Sequence, residues 1–181
     1  MDMARALDSL IGAVAWLSRA AGVLSAVLLI GMVLHILLEI VLRAFFSTST
    51  FVLDEFVGYG VAAMTFLSLA YALNEDALIR VNIVLARTRG RTRLAFEIFS
   101  VAVTLSITVF IAAYFWRSVA RNWKRGAVSE SIAEFPLWIP EGLVLAGMTL
   151  FAIQLAAYLL RLIAGDRKII GQDQSGPARL E

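Results

Sequence analysis

Residues 20–42, AAGVLSAVLLIGMVLHILLEIVL, decide the fold of this chain. Across this run only His35 and Glu39 can carry a charge. At a rise of ~1.5 Å per residue, a helix of this length reaches roughly 35 Å, enough to cross a hydrocarbon core of ~30 Å. Three further runs pass the same length test. Residues 56–73 and 98–116 hold no charge, and residues 142–160 hold only Gln154 as a strongly polar side chain. Four such runs in 181 residues leave too little chain to bury them inside a soluble fold.

Composition supports a membrane protein. Hydrophobic residues make up 60% of the chain and charged residues 17%, against ~45–50% and ~25% in ordinary soluble domains. A soluble particle of this size could not be coated with so few polar side chains. The formal charge of +2 is small, and the basic residues cluster between apolar runs, which suits membrane loops rather than nucleic acid. No cysteine is present, so disulfides, thiolate metal sites and iron–sulfur clusters are excluded. His35 is the single histidine, too few for a bis-histidine haem within one chain. The first apolar run exceeds the 7–15-residue core of a cleavable signal and starts well inside the chain, so no such signal is expected.

The reading is an all-α membrane protein with four transmembrane helices plus an N-terminal interfacial amphipathic helix. Residues 1–165 form one membrane domain, with spans at about 20–42, 56–73, 98–116 and 142–160. The polar tail 166–181 reads as cytoplasmic and disordered. In residues 4–19, Leu7, Leu10, Ile11, Val14 and Leu17 share one helical stripe opposite Arg5, Asp8 and Ser9, with Trp16 at headgroup level. Residues 117–135 are polar, contain Gly126 and read as an external loop. The basic residues orient the spans. Arg5, Arg19, Arg80, Arg87, Arg89, Arg91, Arg93, Arg161, Arg167, Lys168 and Arg179 share one side if both termini are cytoplasmic. Arg43, Arg117, Arg121, Lys124 and Arg125 fall on the other. Eleven against five favours cytoplasmic termini, although the third loop is unusually basic for an external segment.

The polar residues among the apolar runs are the candidate sites. His35, Glu39 and Arg43 recur at i, i+4 on one face of the first span, with Glu39 on the favourable N-terminal side of Arg43. The reading is a structural ion pair at the outer interface, with subunit contact as the functional alternative. Asp54 and Glu55 open the second span, where the helix dipole favours acids, and a salt bridge from Arg43 across the hairpin is plausible. Ser100, Thr104 and Thr108 form a hydroxyl stripe, and Gln154 a single amide, both suited to interhelical hydrogen bonds. No span carries several central charges or is broken by proline, features common in transporters that bind solute themselves.

The second span is more specific. Asp54-Glu55, the run 56–73, and then Asn74-Glu75-Asp76-Ala77-Leu78-Ile79-Arg80-Val81-Asn82 resemble the DctQ-type small membrane subunit of tripartite ATP-independent periplasmic (TRAP) transporters. That family has an arginine closing the first span, an aromatic and an acidic pair entering the second, a glycine- or serine-containing apolar run, and a histidine-isoleucine-arginine-valine-aspartate stretch before a basic loop. Arg43, Phe51, Asp54, Glu55, Ser68, Ile79, Arg80 and Val81 occupy those places. Phe135-Pro136-Leu137-Trp138-Ile139-Pro140 looks like the family's entry to the fourth span, with Gly147 inside it. The likeness covers roughly residues 10–165. A tryptophan before the acidic pair is missing, and Leu78 and Asn82 replace the histidine and aspartate, so any titratable role of that loop does not carry over.

The resemblance implies a scaffold for a much larger membrane subunit that holds the substrate and sodium sites, with no cofactor in this chain. It implies a periplasmic binding protein delivering an organic acid or similar solute. Glu39, Arg43, Asp54, Glu55 and Arg80 are then candidate subunit contacts or structural pairs. Arg117, Arg121, Lys124 and Arg125 are candidates for docking the binding protein. The competing readings are a membrane anchor of a respiratory or electron-transfer complex and a small multidrug exporter relying on Glu39. With no metal cluster, nucleophile–base pair or cofactor loop in the sequence, an enzyme is not expected.

Overall fold

The structure, a computed structural model, describes residues 2–75 and 91–164. It contains four helices: α1 (Asp2–Phe46), α2 (Leu53–Asn74), α3 (Arg91–Arg125) and α4 (Trp138–Ala164). Each is long and apolar enough to cross a bilayer. All four anticipated runs lie within these helices, and the helices extend beyond them. The tail 166–181 and Arg80 lie outside the described residues.

Two elements differ from the sequence reading. α1 is one continuous helix of 45 residues, roughly 67 Å at ~1.5 Å per residue, and no break separates residues 4–19 from the span. The junction Leu17-Ser18-Arg19-Ala20-Ala21 contains neither proline nor glycine, so nothing there terminates a helix. At the other end of the third span, Arg117, Arg121, Lys124 and Arg125 are helical rather than part of a loop. Charge ends the lipid-embedded run but not the hydrogen-bond ladder. Termination comes at Gly126, left-handed at φ 59°. Its N–H bonds the Trp123 carbonyl (3.2 Å) and the Ala127 N–H bonds that of Asn122 (3.1 Å), the paired closure of a Schellman cap.

The helices stand in the order α1, α2, α4, α3. α1 packs on α2, α2 on α4 and α4 on α3, with a lesser contact between α1 and α4. On α1 the seam is made by Ser18, Ala21, Ser25 and, near the top, Glu39, all buried. Small residues let backbones approach, which matters in lipid because burying an apolar side chain against protein gains little over burying it in acyl chains. Gly147 is the tightest case: a β-carbon there would sit 2.5 Å from the Phe66 carbonyl of α2. Below it, Ala70 and Leu73 of α2 meet Phe151 and Leu155 of α4, and Val101 and Leu105 of α3 pack against them. Only 6% of the apolar window of α3 is buried, so most of that helix faces lipid or another protein.

Candidate functional site

The polar side chains gather at the two ends of the row. The largest group ties the α1–α2 turn. α1 ends in Ser47 at φ 49°, and the turn leaves through Phe51 at φ 59°. Neither is glycine, so this left-handed backbone needs support from its surroundings. Glu39, only 1% exposed although one to two turns below the helix end, supplies it. Arg43 Nε donates to Oε1 at 2.8 Å, and the Ser49 hydroxyl donates to the same oxygen. The Thr50 N–H and hydroxyl donate to Oε2 at 2.9 and 2.7 Å. The Ser49 oxygen in turn accepts from the Phe51 N–H at 3.1 Å and from Arg43 at 3.4 Å. His35 Nε2 lies 3.5 Å from the Thr50 hydroxyl, and its ring meets Phe56 at 6.2 Å. A carboxylate taken out of water must have its lone pairs met. Here the loop's own donors meet them, so Glu39 and the turn hold each other.

The segment 126–137 folds over the same end. A single bridge pairs Val128 with Pro136, and the Ser129 N–H donates to the Phe135 carbonyl at 2.9 Å. Phe135 inserts between α2 aromatics, 5.2 Å from Phe56 and 6.2 Å from Tyr59. Glu55 accepts the Tyr59 hydroxyl at 2.7 Å through Oε1, while its buried Oε2 has no hydrogen-bond partner among the described residues. Asp54 is exposed beside it in the first turn of α2. The ion pair of Arg43 is with Glu39, and no salt bridge from Arg43 to Asp54 or Glu55 forms among the described residues. The intervening turn, with Ser49 and Thr50 bonded downward to Glu39, leaves Glu55 to the segment 126–137 instead, through Tyr59 and Phe135.

A third group joins α3 to α4. Glu141, in the first turn of α4, accepts from Ser118 at 3.1 Å and from the Asn122 amide at 2.9 Å. Trp123 of α3 stacks edge-on against Trp138 at 4.5 Å. At the opposite end of the row, Gln154 donates to Asn74 at 3.1 Å, the Tyr158 hydroxyl donates to Glu97, and an exposed Arg19–Glu75 pair sits at 3.7 Å. The hydroxyl stripe on α3 does not bridge helices. Thr104 and Thr108 donate back to the carbonyls of Ser100 and Thr104 at 2.9 and 2.8 Å, the i−4 pattern available to any helical threonine.

Glu39 and Arg43 are thus brought together, and Asp54 and Glu55 lie at the same end. Arg117, Arg121, Lys124 and Arg125 occupy the last turns of α3. Ser49, Thr50, Tyr59, Ser118, Asn122 and Glu141 were not singled out from sequence. Pro140 immediately before Glu141 was the available signal, since it marks a helix start where an acid is favoured. Among the described residues, no cluster of three metal-ligating side chains occurs.

These features define an integral membrane protein of four spans, cross-tied at both ends and apolar between them. The model of the family described as tripartite ATP-independent periplasmic transporters, DctQ component, matches residues 32–165. That is well over half of the chain, and the chain belongs to this family: it is a component of a TRAP transporter, carried in the inner membrane. No curated relative matches it.

Proposed function

We propose that this small permease subunit serves as a scaffold for a much larger membrane subunit. That partner takes up an organic acid or similar solute delivered by a periplasmic binding protein. Sodium coupling belongs to the larger partner, and both termini of this chain lie in the cytoplasm, as the distribution of basic residues favours. The observation that carries the reading is where the polar groups lie. Below the Glu39 knot, with His35 at its lower edge, the described spans hold no acidic or basic side chain until the opposite end of the row. A solute path lined by this chain alone would have no charged side chain to offer an organic anion. What the chain does offer is four helices locked in fixed order, with broad apolar faces left open.

Affinity purification in mild detergent tests this directly. Recovery of a larger membrane protein in stoichiometric amount is the expected outcome, together with inactivity of the isolated chain in vesicles. Solute uptake by vesicles containing this chain alone would overturn the scaffold reading.

A further inference from the structure

One strongly charged surface takes no part in these contacts. Ser118 and Asn122 turn α3 toward Glu141 of α4. Arg117, Arg121 and Lys124 lie to the flank of that contact, Arg125 follows at the helix end, and all four are exposed. They line, with Trp116 and Ala120, a shallow groove of about 380 Å³. None of the four forms an ion pair among the described residues. The Glu141 carboxylate is taken up by Ser118 and Asn122.

The same stripe continues downward with different chemistry. Ile107, Phe110 and Tyr114 precede Arg117, Arg121 and Lys124 at alternating spacings of three and four, which keeps them on one helical face. They are 54%, 75% and 63% exposed, so this apolar bed is open along the helix. Depth fits the change of chemistry. The uncharged run 98–116 is ~28 Å long and so fills a hydrocarbon core of ~30 Å. Arg117 and Arg121 follow ~2–8 Å beyond it, within the headgroup layer. Lys124 and Arg125 lie a turn further, on stems long enough to reach back. Trp116, 66% exposed, stands at the boundary where indoles settle.

We propose that this face of α3 binds an anionic phospholipid of the leaflet at that end. The guanidinium forks of Arg117 and Arg121 hold the phosphate, Lys124 and Arg125 supply further positive charge, and Ile107, Phe110 and Tyr114 bed the acyl chains. Arginine suits the role because its planar donors match phosphate oxygens in pairs. A soluble binding protein competes for the same cations on charge alone. The lipid is favoured because the site has two parts, and the apolar part lies at a depth no soluble protein reaches. The lipid also accounts for a run of basic residues on the side where the charge distribution of the chain disfavours them.

Native mass spectrometry of the full chain in neutral detergent tests the site. The chain is titrated with phosphatidylglycerol and, separately, with phosphatidylcholine. Retention of phosphatidylglycerol about tenfold tighter is expected, the scale of one to two basic residues at an anionic surface. The combined variant Arg117→Gln, Arg121→Gln, Lys124→Gln and Arg125→Gln should lose that preference. The variant Arg117→Lys, Arg121→Lys and Arg125→Lys should keep most of it, and millimolar inorganic phosphate should not displace the lipid. The side chains are exposed, so unchanged helicity and elution are expected of both variants. Were either to misfold, the phosphate competition and the comparison of the two lipids on the unaltered chain would still decide. Equal retention of the two lipids, an undiminished preference in the glutamine variant, or displacement by inorganic phosphate would each overturn the proposal. So would a glutamine variant that keeps the lipid preference but loses binding-protein-dependent uptake in the assembled transporter, since the surface would then belong to the protein partner.

Discussion

Replacing Gly147 by alanine should separate α2 from α4. A β-carbon at this position would lie 2.5 Å from both the carbonyl carbon and oxygen of Phe66 and 2.6 Å from the Leu67 nitrogen. Ordinary van der Waals contact begins near 3.4 Å, so the helices must move apart by nearly 1 Å. The obstacle is backbone, which cannot turn aside as a side chain can. Forcing one methyl into a packed seam costs about 1–3 kcal/mol. Alanine also raises helix propensity, by up to ~1 kcal/mol at water-exposed positions, and that gain must be removed before the clash can be read. Gly142→Ala provides the correction, because a β-carbon there meets nothing within 4 Å. Gly60→Ala should fall between the two, since its obstacle is the flexible Met32 side chain. Helicity followed through titration with a denaturing detergent measures all three. The order Gly142→Ala most stable, then Gly60→Ala, then Gly147→Ala, with about 1–3 kcal/mol between the extremes, is expected. If Gly147→Ala proved as stable as Gly142→Ala, close backbone approach would not be what sets the α2–α4 contact.

Three further outcomes follow from the end-ties. Glu39→Gln places an amide NH2 against donors from Ser49 or Thr50, so amide protection at Thr50 should fall roughly tenfold in hydrogen exchange. Glu75→Gln, at an exposed pair, should leave exchange in that turn unchanged, and equal effects would refute the knot. Phe135→Ala removes ring contacts to Phe56 and Tyr59 that together are worth about 0.5–1.5 kcal/mol or more. Proteolysis within 126–137 should quicken several-fold while helix content stays constant, and an unchanged cleavage rate would show that the loop is held otherwise. A double-mutant cycle on Asn74→Ala and Gln154→Ala should give a coupling near 0.6 kcal/mol, the usual scale of an interhelical hydrogen bond in lipid. Strict additivity would remove that contact from the account.

The four spans were legible because length and absence of charge are properties of a local window, and a bilayer imposes both. The same criterion misplaced the end of α3. Arg117 ends the apolar run, but Arg-Ser-Val-Ala-Arg-Asn-Trp-Lys-Arg continues the helix, and the stop lies at Gly126, where the chain needs a left-handed residue. The Glu39–Arg43 pair could be read from its spacing. The bonds from Ser49 and Thr50 could not, since they depend on a turn whose left-handed positions, Ser47 and Phe51, are not the glycines that normally announce one. The lateral order of the helices was also hidden. Residues 20–42 are apolar on nearly every face, and apolarity alone does not say which face meets a neighbour. Gly22, Gly60, Gly147 and the small residues Ser18, Ala21 and Ser25 carried that information, as positions where side chains are withheld.

That distinction bears on how the open faces of this chain should be read. In water, the exposure of Phe99 (68%) and Phe110 (75%) would itself argue for a covering partner. In lipid it argues for nothing, because acyl chains solvate a phenylalanine as well as another helix does. Evidence for order must come from features that lipid does not reward: backbones brought into contact, and polar groups satisfied by groups distant in sequence. Here those features fall along the α1–α2–α4–α3 seams and at the two ends of the row. They set the helix order from within the chain, as the proposed scaffold role requires. A platform whose internal order is settled this way can present its remaining faces to a large neighbour with little desolvation cost, so such an association would rest on shape and on the ends of the helices.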